Sequence, residues 1–368
     1  MEAPSQRRIA IPVMDGIRGW ACLLVMIAHA VRPGILPPLL AKWVWAKGAV
    51  IIFFALCGFM MMYHYYTNRQ LSGRHWAAFG VRRFFRIYPP FALAVVLYCL
   101  FPFHTEFNPE NTLPYLLLSL RDVSFSHLWT IPPEVTFYLI FPVISCALFV
   151  VPLSKYGKVW LMIIACIFLA HWHEELCMIF RNFNLEKAFR NNVQYFLAGM
   201  IAAYIHLYFQ DTRDDLKRFW NIATCCALAF MVVMVKVDIY ILSHQEYVLA
   251  QIYNKSPLKM VPITMCHATV YITVAVALLL ICAARSTGAV AYIFTNPFIR
   301  YCGTLSYSLY LIHPLIFILC SFLIPFGWPL ISVVTFGLTF LAAMLMHYGL
   351  ERPSNSLGKR LSQTILAR

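Results

Sequence analysis

Long apolar runs separated by short polar segments dominate the chain. A membrane-spanning helix needs about 20 mostly apolar residues. On that measure the pattern predicts spans near residues 13–31, 44–64, 88–103, 129–151, 158–173, 192–209, 218–236, 260–283, 302–324 and 328–350. The apolar segment 112–120 is too short to cross and reads as re-entrant or interfacial. The longest polar loop is 237–259, with Asp238, His244, Glu246 and Lys255. The expected fold is an all-α polytopic membrane protein, with about ten transmembrane helices around a polar internal cavity. Its parts are a tail at 1–12, a transmembrane domain at 13–350 and a second tail at 351–368. The first apolar run is not a cleavable signal, because it carries Asp15 and Arg18 and ends without a small-residue cleavage site.

Composition supports this reading. Of the 368 residues 61% are hydrophobic and 12% are charged, against roughly 25% charged in soluble domains. The net charge of +14 does not point to nucleic acid, because cytoplasmic loops collect Lys and Arg for topological reasons. No nucleic-acid-reading motif is present. Ten spans put both termini on one side. That side gathers eighteen Lys and Arg against ten on the other, which predicts both termini cytoplasmic. The twelve cysteines lie mainly inside apolar runs with no C-x-x-C pair, and read as small buried hydrophobes. His171-Trp-His173-Glu174-Glu175 lacks the H-E-x-x-H spacing, so no metal site is expected. There is no P-loop, dinucleotide-binding glycine turn or G-x-S-x-G elbow.

The informative residues are the polar ones at span depth, where a charge costs about 2.5–3.5 kcal/mol on the insertion scale. In the first span Arg18 and His29 are eleven residues apart. That separation places them within about 20° on one helix face and about 16 Å apart along the axis. Asp15, Cys22 and Met26 fall near the same stripe, which must face an internal polar cavity. The plainer reading is an Asp15–Arg18 ion pair with His29 as an interhelical donor. Arg82, Arg83 and Arg86 precede the Tyr88-Pro89-Pro90 start of the third span. Three guanidiniums at that helical spacing repel one another, and their planar forks suit phosphate; lipid headgroups are the alternative anion. Glu134, behind the Pro132-Pro133 pair, gains from the helix dipole. It is the one carboxylate well inside an apolar run, so an Arg or His partner is expected. Late in the chain, small and hydroxyl residues from Gly303 to Tyr310 suit close helix packing. His313 directly precedes Pro314, which leaves a backbone carbonyl free.

Together these stretches resemble the membrane-bound acyltransferase-3 family, the multi-span O-acyltransferases, over nearly the whole chain. The resemblance rests on six motifs in order. They are Asp15-Gly16-x-Arg18-Gly19 with the Arg-x10-His pair ending at His29; Phe53-Phe54-Ala-Leu-Cys57-Gly58-Phe59; and Arg82-Arg83-x-x-Arg86-Ile87-Tyr88-Pro89. His127-Leu-Trp129-Thr-x-x-x-Glu134-x-x-Phe137-Tyr138, Ser306-Tyr307-Ser308-Leu309-Tyr310-Leu311-x-His313-Pro314 and Glu351-Arg352-Pro353 follow. The chain departs from the usual pattern at Cys57, where Ser is common, at Val135, where many members have a second acidic residue, and at Pro132-Pro133. No extra soluble esterase-like domain is expected, because the chain ends soon after the tenth span.

The resemblance implies an acyl-CoA donor, most often acetyl-CoA, and a hydroxyl acceptor on a carbohydrate, glycolipid or related molecule. His29 would act as the general base, or carry the acyl group transiently. Arg18 would bind donor phosphate or carbonyl, stabilise an oxyanion or pair with Asp15. Arg82, Arg83 and Arg86 would hold the CoA phosphates. Glu134 would orient a histidine or bind an acceptor hydroxyl, with Tyr310 and His313 in support. The rival function is a secondary transporter of a small anionic or sugar-like solute, and a second is a scaffold with a degenerate core. An integral location fits either a plasma or inner membrane or an endomembrane.

Overall fold

A computed structural model describes residues 11–31, 33–38, 46–68, 72–101, 112–117, 127–171, 192–208, 216–243, 261–324 and 327–367, and among these there is no strand. The helices are α1 (Pro12–Ala30), α2 (Ala46–Asn68), α3 (Gly73–Leu100), α4 (Thr112–Leu116), α5 (Ile131–Val150), α6 (Lys155–His171) and α7 (Val193–Tyr208). They continue as α8 (Lys217–Ser243), α9 (Val261–Ala283), α10 (Gly288–Thr295), α11 (Pro297–Leu323), α12 (Leu330–Met346) and α13 (Arg352–Ala367). Backbone polar groups in a bilayer must be satisfied within the segment, and helices meet that demand.

Seven helical stretches among the described residues are long and apolar enough to cross a membrane. This agrees with an all-α polytopic membrane protein but not with a firm count of ten. The spans expected at 192–209 and 260–283 fall on α7 and α9, where shorter apolar helices, Val193–Leu207 and Val270–Ala283, are found. The short segment expected at 112–120 forms α4 over its first five residues, and 118–120 lie outside the described residues. The loop expected at 237–259 is helical as far as Ser243, the end of α8, and its remainder, like His173, Glu174 and Glu175, lies outside the described residues.

Three elements differ from the expectation. Helix α3 begins at Gly73 rather than near 88 and runs unbroken through Pro89 and Pro90. A proline inside a helix removes one N–H and leaves the carbonyl four residues earlier unpaired. Pro89 therefore frees the carbonyl of Phe85, and the Ser354 hydroxyl of α13 donates to it. The same proline-bearing segment holds Arg82, Arg83 and Arg86. Second, the segment expected as a tail at 351–368 is helical over Arg352–Ala367 and packs along α3. Its buried face is the small-residue stripe Ser354, Gly358 and Ser362, and a Cβ at Gly358 would lie 2.7 Å from that of Phe85. Third, α12 passes into α13 through a wide helical turn, His347–Glu351. There the buried Glu351 carboxylate accepts hydrogen bonds from Ser308 of α11 (2.7 Å) and His347 Nδ1 (2.9 Å).

Two helix pairs form the centre of the bundle, α1 with α11 and α2 with α7. Each is held by backbone-to-backbone approach at glycine. A Cβ at Gly19 would sit 2.0 Å from the Ile299 carbonyl oxygen, and one at Gly303 would sit 2.0 Å from that of Asp15. In the second pair the corresponding clashes are Gly58 with the Phe196 oxygen at 2.0 Å and Gly199 with the Ala55 oxygen at 1.8 Å. Small residues let helices pack closely in a membrane, where no hydrophobic drive brings them together. These contacts fix α1 against α11 and α2 against α7, and so set where their polar side chains meet.

Candidate functional site

Helix α1 is continuous from Arg18 to His29, so the two residues lie on one face about 16 Å apart. The face is not uniformly open. Between its ends Cys22 and Met26 are fully buried, and the Cys22 thiol donates to the Ser306 carbonyl at 3.6 Å. Each end of the helix therefore belongs to a different environment.

Arg18 opens into a cavity of about 160 Å³, together with Arg83, Arg86, Glu134 and Tyr310. Val50, Phe53, Phe54 and Met60 of α2 form an apolar wall, and Cys57, His64, Thr130, Ile131, Tyr138, Ser306 and Tyr307 complete the lining. Pro132 and Pro133 occupy the first turn of α5, so the chain enters that helix pre-set, and Glu134 falls in the same turn. The Glu134 carboxylate accepts a short hydrogen bond from Tyr138, one turn further along. The expected Arg or His partner is thus replaced by a phenol. The Cys57 thiol lies 3.8 Å from Glu134 Oε1 and 3.6 Å from the Tyr138 hydroxyl.

The Arg83 guanidinium stacks over the rings of Tyr138 (5.1 Å) and Phe79 (5.3 Å). Arg86 lies in the fields of Glu134 and Glu351, and Tyr307 ties α11 to the Ile87 carbonyl at 2.8 Å. Among the described residues no ion pair closes on Arg18, Arg83 or Arg86, and the Asp15–Arg18 pair is not formed. Among the described walls three arginines stand with one tyrosine-held carboxylate. The cavity's chemistry is that of an anion receptor with an apolar wall. Arg82 and Asp15 are not among the cavity walls.

His29 is not a cavity wall either. Its Nδ1 lies 2.8 Å from Nε2 of the fully buried His313 on α11. The His313 Nδ1 in turn faces the carbonyls of Leu309 (3.0 Å) and Tyr310 (2.9 Å). The Tyr310 carbonyl is the one that Pro314 cannot engage. Tyr98 enters the same opened turn of α11. Its hydroxyl donates to the Leu311 carbonyl and accepts from the Leu315 N–H, both at 3.2 Å, bridging a broken helix bond. His127 packs its ring against His313 at 5.6 Å.

Tyr310 borders both environments. It lines the cavity, its ring lies 6.0 Å from that of His313 and 6.2 Å from Phe53, and its hydroxyl bonds Thr130 and the His127 carbonyl.

The sequence singled out the cations, Glu134, His29 and His313. It did not assign Tyr138, Tyr98, His127 or Glu351 a place here. Tyr138 follows Glu134 by one helical turn, which was a usable signal. His127 opens the motif that runs to Tyr138 but was given no role, and Tyr98, distant in sequence, had no signal. Among the described residues no group of three or more His, Cys, Asp or Glu is placed to hold a metal ion.

No curated protein and no solved structure gives a significant match. Residues 11–348 match the family described as an acyltransferase domain. That span takes in α1 with Arg18 and His29, the arginines of α3, Glu134 and the His313 turn. The chain therefore belongs to the membrane-bound acyltransferase-3 family.

Proposed function

We propose that this membrane acyltransferase moves an acyl group, acetyl in the simplest case, from acyl-CoA to a hydroxyl of a carbohydrate, glycolipid or related acceptor. The observation that carries the reading is the cavity in which Arg18, Arg83 and Arg86 converge beside an apolar wall, with no ion-pair partner among the described residues. A CoA thioester is polyanionic at one end, and arginine forks bind phosphate bidentately. Its pantetheine arm and acyl group are long and largely neutral, which suits Val50, Phe53, Phe54 and Met60. The ten-span reading with its Lys and Arg excess would put both termini, and with them the arginine end, on the cytoplasmic side, where acyl-CoA is made.

The reaction follows from the chemistry of the two ends. A hydroxyl is a weak nucleophile until a base removes its proton. His29 takes that proton as the oxygen attacks the thioester carbonyl. The tetrahedral intermediate collapses with cleavage of the carbon–sulfur bond, and the departing thiolate takes the proton from His29. In this reading Arg18 and the α3 arginines, with Arg82 at their edge, anchor the donor, and Glu134 with Tyr138 orients a polar group in the cavity. Asp15 and Tyr310 support from either end. For this reaction the thioester has to pass the layer of Tyr310, Thr130 and Phe53, because His29 is not among the cavity walls.

The test supplies the purified protein with acetyl-CoA labelled in its acetyl group and a panel of carbohydrate acceptors. Label should appear on an acceptor hydroxyl with release of CoA thiol, and His29→Ala should stop it. Solute uptake by reconstituted vesicles with no label transfer would overturn the reading in favour of transport.

A further inference from the structure

We propose that His313 is the positioning residue for His29, and that Pro314 makes it one by leaving the Tyr310 carbonyl free to fix the tautomers of both rings. This rests on the reading of His29 as the base. The argument starts in the helix. Pro314 has no N–H, so the Tyr310 carbonyl has no donor four residues ahead. His313 Nδ1 sits 2.9 Å from that carbonyl and 3.0 Å from that of Leu309. Carbonyl oxygens only accept, so Nδ1 of His313 carries the proton, and in the neutral ring its Nε2 carries the lone pair. His29 Nδ1 lies 2.8 Å from that Nε2, so it must be the donor. The lone pair of His29 then resides on Nε2, the nitrogen that takes the hydroxyl proton.

The surroundings hold this order in place. The Tyr98 hydroxyl occupies the gap between the Leu311 carbonyl and the Leu315 N–H, so the next backbone bond of the same turn is bridged as well. When His29 gains its proton, its Nδ1–H becomes part of an imidazolium. The bond to His313 is then charge-assisted and strengthens, so His313 favours the protonated state of the base without changing its own protonation. The order of atoms is backbone carbonyl, His313, His29 and then the acceptor hydroxyl. It plays the part of an orienting carboxylate with a proline-freed peptide group in its stead.

Substitution separates this role from a packing role. A glutamine at 313 places an amide oxygen where Nε2 stands and can accept from His29. An asparagine places its amide where Nδ1 stands, bonding the carbonyl but stopping short of His29. Nitrogen NMR of protein with ¹⁵N-labelled histidine reads the tautomer directly and needs neither donor nor acceptor. The expected result is His29 protonated on Nδ1 in the wild type and in His313→Gln, and a mixed tautomer in His313→Asn. In turnover of acetyl-CoA, His313→Asn should lower kcat about 100-fold, the scale of a misplaced reacting group, with KM for the donor unchanged, and His313→Gln should recover most of the loss. His29 protonated on Nε2 in the wild type, or Asn and Gln behaving alike in the tautomer measurement, would overturn the proposal. Absence of acyl transfer in the wild type would instead count against the acyltransferase chemistry assigned to His29, since the tautomer measurement stands apart from it.

Discussion

The two ends of α1 solve opposite problems. At the Arg18 end, charges stand around open space with no carboxylate of the described residues closing on them, and Glu134 among the walls is held by a tyrosine. At the His29 end, hydrogen-bonding groups are packed against one another, and the backbone hydrogen bond that Pro314 removes from α11 leaves the anchoring carbonyl. Charges at span depth are costly, so the first end gains by receiving an anion. In the proposed reading the second end is organised before any ligand arrives, as preorganised catalytic groups are. One helix thus carries a ligand-hungry end and a preorganised end, joined by the packed segment through Cys22 and Met26.

Separating the two ends gives the largest predicted effect. His29→Ala should lower acyl transfer by about 10²- to 10⁴-fold, the usual worth of a positioned base, and leave acetyl-CoA affinity almost unchanged. Initial rates and ligand-dependent melting on the same preparation check both halves. The double variant Arg83→Ala/Arg86→Ala should do the reverse. Losing two charge-assisted contacts of about 1.5–3 kcal/mol each should weaken acyl-CoA binding at least 100-fold by titration, with His29 still in its native tautomer. Gly19→Ala should disturb both ends together, because the new methyl meets the Ile299 carbonyl at 2.0 Å. A stability loss of roughly 1–3 kcal/mol from overpacking, read as a lowered thermal unfolding midpoint, with both binding and turnover reduced, is the expected signature. Tyr138→Phe is the mildest. It removes one hydrogen bond from Glu134 and should cost about 1 kcal/mol, read as a few-fold change in turnover with intact folding.

The same contrast explains what was legible in the sequence. Charges in apolar runs stand out, so Arg18, Arg83, Arg86 and Glu134 were visible as anomalies, and helical spacing placed Arg18 and His29 on one face. Helical spacing did not reveal that the face divides, because burial of Cys22 and Met26 depends on how closely α11 approaches at Gly19 and Gly303. The start of α3 was placed too late because Pro89-Pro90 reads as a helix boundary. The helix instead continues, and Ser354, some 269 positions away, bonds the carbonyl that Pro89 frees. The tail after Glu351 looked polar, yet its Ser354, Gly358 and Ser362 stripe is a packing face. Proline next to His313 was the one local clue to the histidine end, and the partners that complete it, Tyr98 and His127, come from elsewhere in the chain.

Thermal stabilisation of the detergent-purified protein by acetyl-CoA and by longer acyl-CoAs tests the central claim most directly. Ligand binding raises apparent stability by mass action, about 2.7 kcal/mol at a hundredfold excess over Kd, and the measurement requires no acceptor. The account predicts a saturable rise in Tm that persists in His29→Ala and disappears in Arg83→Ala/Arg86→Ala. A folded protein whose Tm no acyl-CoA moves, or an equal shift in the double arginine variant, would contradict it.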